Sequence, residues 1–133
     1  EQPKACFTTE QMVDWYQTGT VYICTSSSEG TPNPGLEAAA CGNVVVSTRV
    51  GNMPELITTH VNGELVDRNV DAVYEAIVRC QASYQEMAMA MQERIAEWDW
   101  KHRVHQYYNL FRRLIDQKRH ATSCTGTSSG VAA

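Results

Sequence analysis

The chain has 133 residues, 43% of them hydrophobic and 20% charged, which is the composition of an ordinary globular domain and excludes a disordered tail, a collagen and a coiled-coil rod. No apolar run approaches the roughly 18 to 20 residues that cross a bilayer, and Glu1-Gln2-Pro3-Lys4 lacks the basic-then-apolar order of a signal peptide, so a cytoplasmic protein is expected. The formal net charge of −4 is unevenly spread: residues 1–100 hold five basic and fourteen acidic residues, residues 101–133 six basic and one acidic.

Thr8-Thr9-Glu10-Gln11 resembles a capping box, and Met12, Trp15 and Tyr16 follow at helical spacing, which predicts a helix over 9–18 that stops near Gly19. Val21-Tyr22-Ile23-Cys24 reads as a buried strand. A polar loop from Thr25 to Pro32 leads to Asn33 as helix N-cap and Pro34 at the first helical position, with Gly42 as the stop. Val44-Val45-Val46 is apolar on both faces, as a central parallel strand requires. Gly51-Asn52-Met53-Pro54 turns into a short helix carrying Leu56 and Ile57, and Asn62-Gly63 precedes a strand at Glu64-Leu65-Val66.

From Asn69 the spacing of Val73, Ile77, Cys80, Tyr84, Met87, Met91 and Ile95 predicts one long amphipathic helix. A second follows Trp98 and Trp100, with Val104, Tyr108, Phe111 and Ile115 on one face and basic residues elsewhere. Residues 121–133 carry no charge and no periodicity and read as a flexible tail after a domain spanning 1–120. The five cysteines are odd in number and contain no C-x-x-C pair, so a disulfide framework or zinc knuckle is not expected, and Cys24 and Cys41 read as reduced core residues.

This alternation predicts an α/β fold: a Rossmann-like, three-layer parallel sheet followed by long C-terminal helices. Such sheets usually have about five or six strands, so part of a domain is expected before residue 1. An exposed sheet edge would then favour homo-oligomers.

The segment Ser28-Glu29-Gly30-Thr31-Pro32-Asn33-Pro34-Gly35-Leu36-Glu37 follows a strand and opens a helix, the place where open α/β sheets hold their ligands. A helix start offers free amides and a positive dipole end, which suits phosphate, and the amides on offer are those of Gly30, Thr31, Asn33, Gly35 and Leu36. Glu37, placed in the first helical turn, can accept two hydrogen bonds from a vicinal diol such as a ribose, and Glu29 can face the same crevice. The competing reading is that Glu37 complements the helix dipole and Glu29 is a solvated loop charge; spacing alone does not choose.

Glu29-x7-Glu37, continued by Ala38-Ala39-Ala40-Cys41-Gly42-Asn43-Val44-Val45 and by Gly51-Asn52-Met53-Pro54-Glu55-Leu56-Ile57, resembles the donor-site half of the retaining glycosyltransferases of family 4, also called group 1. The resemblance covers roughly residues 8–115. It implies a GT-B architecture in which this C-terminal domain holds a nucleotide-sugar, UDP- or GDP-linked, with no metal and no other cofactor. It further implies that Glu37 binds the donor ribose, that Glu29 lies near the transferred sugar as the catalytic-site carboxylate, and that amides from Gly30 to Asn33 contact sugar or phosphate. The family's phosphate-neutralising Arg and Lys, and the N-terminal acceptor domain, match nothing in this chain, so the chain alone is expected to be inactive.

Arg49 is placed either near a phosphate or paired with a carboxylate such as Glu55. His102 and His105 share a helix face without an evident third metal ligand. The basic, aromatic helix from Lys101 to Arg119 suits packing on a partner domain, with peripheral contact to an anionic membrane as the alternative and nucleic acid not expected as a partner. A non-catalytic nucleotide- or partner-binding α/β module is the other function these elements admit.

Overall fold

Thr8 starts helix α1 (Thr9–Gln17) through the reciprocal box expected from sequence: its hydroxyl accepts the Gln11 amide at 3.3 Å, and the Gln11 side chain accepts the Thr8 amide at 2.9 Å. The computed structural model describes residues 7–124, with side chains over 7–120. Residues as far as Ala96 form one compact unit and those from Glu97 a second.

In the first unit, β1 (Val21–Cys24), β2 (Val44–Thr48) and β3 (Gly63–Val66) make a parallel sheet in the order β1-β2-β3. Val21 stands opposite Val44, and Val45 opposite Gly63. β2 has a strand on either side, and all five of its residues are buried, which is what its apolarity on both faces encodes.

Helix α2 (Asn33–Ala40) begins one residue earlier than expected. Its N-cap is Pro32 and not Asn33, because the Pro32 carbonyl already accepts the amides of Gly35 at 2.9 Å and Leu36 at 3.4 Å. Pro34 then sits inside the first turn, where its missing N–H leaves no bond unmade. The helix stops at Cys41, and Gly42 carries the chain out at φ +98, a conformation glycine adopts without a Cβ penalty. The short α3 (Met53–Leu56) buries Met53 and Leu56 completely.

The long helix expected from Asn69 is two helices, α4 (Val70–Ala82) and α5 (Tyr84–Ala96), separated at Ser83. The apolar spacing continues across the break because both helices bury their stripe, but against different surfaces. Ala76 and Cys80 of α4 pack with Val44, Val46 and Val66 on one face of the sheet, and Met87 of α5 completes that cluster. Further along, Met91 reaches the region of Gly63 at the start of β3, and the Tyr84 hydroxyl donates to the Gly42 carbonyl at 3.2 Å. A single straight helix, about 1.5 Å longer for each residue, would carry Met91 away from the core. Helix α2 covers the opposite face of the sheet, where Gly35 backs onto Met53 and Tyr22, so the expected three layers are present.

Glu64 of β3 is a buried carboxylate, 1% exposed, with His60 Nδ1 at 2.7 Å and the Arg79 guanidinium at 3.4 Å as its partners. Cys24 and Cys80 are buried free thiols, whereas Cys41, expected in the core, is half-buried at the end of α2.

The second unit is α6 (Trp100–Cys124), whose first amides are met by Asp99: the side chain accepts from Lys101 and the carbonyl from His102 and Arg103. Trp100, Tyr107 and Phe111 form a ladder of rings with centroids 5.8 and 6.4 Å apart. Arg103 lies 4.4 Å over the Trp98 ring, a cation–π contact. The helix continues to Cys124, four residues into the segment read as a tail, and residues 125–133 lie outside the described residues. Among the described residues no helix is long and apolar enough to cross a membrane.

Candidate functional site

The loop between β1 and α2 leaves the carboxyl end of the sheet, and it is shaped by bonds from the neighbouring strand and turn. The Thr48 hydroxyl, at the end of β2, donates to the Ser26 carbonyl at 2.7 Å. The Ser26 hydroxyl in turn donates to Glu29 Oε1 at 2.8 Å. From the other side the turn after β2 presses in: Gly51 has φ +50, and a Cβ there would overlap the Gly30 carbonyl. The Gly51-Asn52 turn and the Glu29-Gly30 loop are therefore one packed unit.

Glu37 lies in the second turn of α2, not the first, so the helix dipole, which falls off within the first turn, does not account for it. Its partner is Tyr16 of α1, whose hydroxyl donates to Glu37 Oε2 at 3.0 Å; Oε1 makes no hydrogen bond among the described residues. The Tyr16 ring is 4% exposed and meets Trp15 and Tyr22 edge-on, with centroids at 5.1 and 6.0 Å. Burial, reinforced by the Glu37 carboxylate, pushes the Tyr16 phenol up to about 12, so this hydroxyl is a proton donor throughout the neutral range.

Tyr22 follows on β1. Its phenol is raised first by burial and then by Cys24, Glu37 and Glu29, so both carboxylates act on the same hydroxyl. Cys41 is likewise raised by burial and by Glu37.

The amides expected to bind phosphate divide into two groups. Those of Gly35 and Leu36 are bonded to the Pro32 carbonyl, and that of Asn33 to the Thr31 carbonyl at 2.8 Å. The amides of Gly30 and Thr31 make no hydrogen bond among the described residues. Glu29, Gly30, Thr31, Asn33 and Glu37 are exposed, Leu36 is half-buried and Gly35 is buried. Arg49 is exposed and makes no ion pair among the described residues; the Glu55 backbone carbonyl accepts from Arg94 at 2.7 Å.

Sequence reasoning passed over Tyr16, Ser26 and Arg68. Arg68 follows β3, and its Nε donates to the Thr25 carbonyl at 3.0 Å, tying the start of the loop to the far strand. A mainly apolar groove of about 490 Å³ lies beside it, along Val70, Val73, Tyr74 and Ile77 of α4. That groove is separate from the two glutamates.

The family described as Glycosyl transferases group 1 matches residues 3–83. D-inositol 3-phosphate glycosyltransferase of Mycolicibacterium smegmatis is 30% identical over 115 residues, which is 83% of this chain and 26% of that protein. Alpha-maltose-1-phosphate synthase of the same organism is 33% identical over 106 residues, 71% of this chain and 27% of that protein. Among solved structures, sucrose-phosphate synthase from Thermosynechococcus elongatus superposes with a TM-score of 0.68 at 26% identity, covering 77% of this chain and 27% of that one. The chain thus spans about a quarter of the length of the relatives it matches. Its parallel sheet and the match over residues 3–83 agree, and the chain belongs to the group 1 glycosyl transferases.

Proposed function

We propose that this chain is the donor-binding part of a retaining glycosyltransferase, moving a sugar from a UDP- or GDP-linked donor to an acceptor held by another domain. The observation that carries the reading is the placement of Glu29 and Glu37 around a loop at the carboxyl end of a parallel sheet, each carboxylate held by a neighbouring hydroxyl. Relatives named for D-inositol 3-phosphate glycosyltransfer, maltose-1-phosphate synthesis and sucrose-phosphate synthesis support the same reaction class.

In this reading Glu37 accepts the ribose diol, with Oε1 available for it. Glu29, braced by Ser26, faces the transferred sugar and steadies positive charge growing at the anomeric carbon. The amides of Gly30 and Thr31 donate to sugar or phosphate oxygens, while Asn33, Gly35 and Leu36 shape the helix start. The acceptor enters on the face from which the nucleoside diphosphate leaves, which retains the anomeric configuration. No metal or other cofactor takes part.

Charge on the departing diphosphate must be neutralised, and such electrostatic stabilisation is usually the largest single contribution to catalysis. The basic groups that do this in the family match nothing here, so the 133-residue chain alone turns over no donor. We place the protein in the cytoplasm or on a membrane surface, with α6 as the region that meets its other domain.

The test uses the full-length protein. Glu37→Ala weakens donor binding by about tenfold or more, the scale of a hydrogen bond to a charged group. Glu29→Ala lowers kcat with little change in KM. Normal activity in both variants overturns the assignment, and nucleotide binding without any transfer favours a non-catalytic module.

A further inference from the structure

We infer that Tyr16 is a positioning residue for the nucleotide ribose, holding the Glu37 carboxylate through its Oε2 so that Oε1 is presented to the sugar diol. The inference rests on the ribose role given to Glu37 above and adds to it a residue from another element, 21 positions earlier in the chain.

An exposed glutamate on a helix surface is a poor diol receptor by itself. Its three side-chain torsions are free, and fixing them on binding costs rotamer entropy. A hydrogen bond from a rigid donor removes most of that cost before the ligand arrives. Tyr16 is such a donor. Its ring is buried between Trp15 and Tyr22, and its own carbonyl accepts the Asn43 side-chain amide at 2.9 Å, so both ends of the residue are anchored. Asn43 is itself buried, immediately before β2. The position of the Glu37 carboxylate is thereby referenced to the sheet as well as to α2.

The bond also divides the lone pairs of the carboxylate. Oε2 is taken by a phenol that stays protonated throughout the neutral range, and Oε1 is left without a partner among the described residues. A diol therefore meets one oriented acceptor edge instead of a rotating group. Tyr16 does not touch the ligand in this account; its whole effect passes through Glu37.

The experiment measures affinities of the full-length protein for ADP, GDP and UDP, and then compares the nucleotide that binds with its 2′,3′-dideoxy analogue. Tyr16→Phe keeps the ring and removes the donor. It is expected to weaken binding of the ribonucleotide by about tenfold, the scale of the rotamer ordering that the bond supplies in advance, and to leave the dideoxy analogue unchanged. A purely structural role predicts equal losses for both ligands, and equal losses or no loss overturn the proposal. Glu37→Ala, measured in parallel, tests the underlying reading on its own: if it preserves the preference for ribose, Glu37 is not the ribose ligand and the role of Tyr16 falls with it.

Should Tyr16→Phe fail to fold, 3,5-difluorotyrosine at position 16 keeps the shape and lowers the phenol pKa. The preference for ribose then disappears above the pH at which absorbance shows the fluorinated phenol to ionise, where the wild type, raised to about 12, retains it. Retention of the preference in the fluorinated protein overturns the proposal.

Discussion

Gly51 lies against Gly30 so closely that a Cβ on Gly51 would overlap the Gly30 carbonyl oxygen and approach its carbonyl carbon to 2.9 Å. The obstacle is backbone, not the movable end of a side chain, and Gly51 also has φ +50. Gly51→Ala therefore combines conformational strain with a displaced Glu29-Gly30 loop, at a cost of about 1–3 kcal/mol. Urea unfolding is expected to show the loss. Gly30→Ala, whose Cβ would meet nothing within 4 Å, is expected to be close to neutral in stability.

The break between α4 and α5 predicts opposite outcomes for two nearby methionines. Met91 is fully buried, and Met91→Ala is expected to cost about 2–5 kcal/mol through lost contacts and a residual cavity. Met89 is 66% exposed, and Met89→Ala is expected to stay within about 0.5 kcal/mol. Chemical denaturation of both variants checks the packing of α5, and similar losses in the two would contradict it.

Tyr16 makes stability fall in alkaline solution. Its phenol is raised from 10.0 to about 12 in the folded protein, so the native state keeps a proton that the unfolded chain releases. The contribution is fully present below pH 10 and is lost as pH rises from 10 through about 12. Cys80 acts in the same direction over a lower range, from 9.0 to about 11, because burial and then Glu64 raise its thiol. Tyr16→Phe should flatten the upper part of this decline and leave the Cys80 part. Absorbance at about 295 nm offers a direct check, since the last tyrosine ionisation should vanish from the variant.

Among the described residues strand β1 has a neighbour on one side only, and its Ile23 is 44% exposed. Unpaired strand edges with exposed apolar residues drive association. The 133-residue chain by itself is expected to self-associate, and Ile23→Lys is expected to shift it toward monomer. Light scattering on a sizing column distinguishes the two, and a wild-type chain that elutes as a clean monomer would contradict the expectation.

Short-range features were legible in the sequence because their partners lie within a few residues of each other. The Thr8–Gln11 box, the apolar run from Val44 and the stop at Gly42 are all local, and each stands where its residue types placed it. The E-x7-E spacing likewise located the loop. Local pattern failed where it was ambiguous. A stripe spaced three and four apart reads the same whether the helix is continuous or, as at Ser83, broken and re-aimed at a second surface. The α2 start moved to Pro32 because a backbone carbonyl outcompeted the Asn33 side chain, a contest that residue type does not settle.

By itself, then, the sequence determined the order and parallel arrangement of the strands and the family to which the chain belongs, since these follow from periodicity, capping residues and chained motifs. Only the tertiary structure decided which groups hold the two glutamates. Tyr16 and Glu37, 21 positions apart, and Ser26 and Thr48, 22 positions apart, are brought together by the packing of α1 and β2 around the loop. Tertiary structure also decided which amides remain free: a helix start leaves its first donors without intrahelical partners, but turn geometry at Thr31 and Pro32 had already taken three of those expected to meet phosphate.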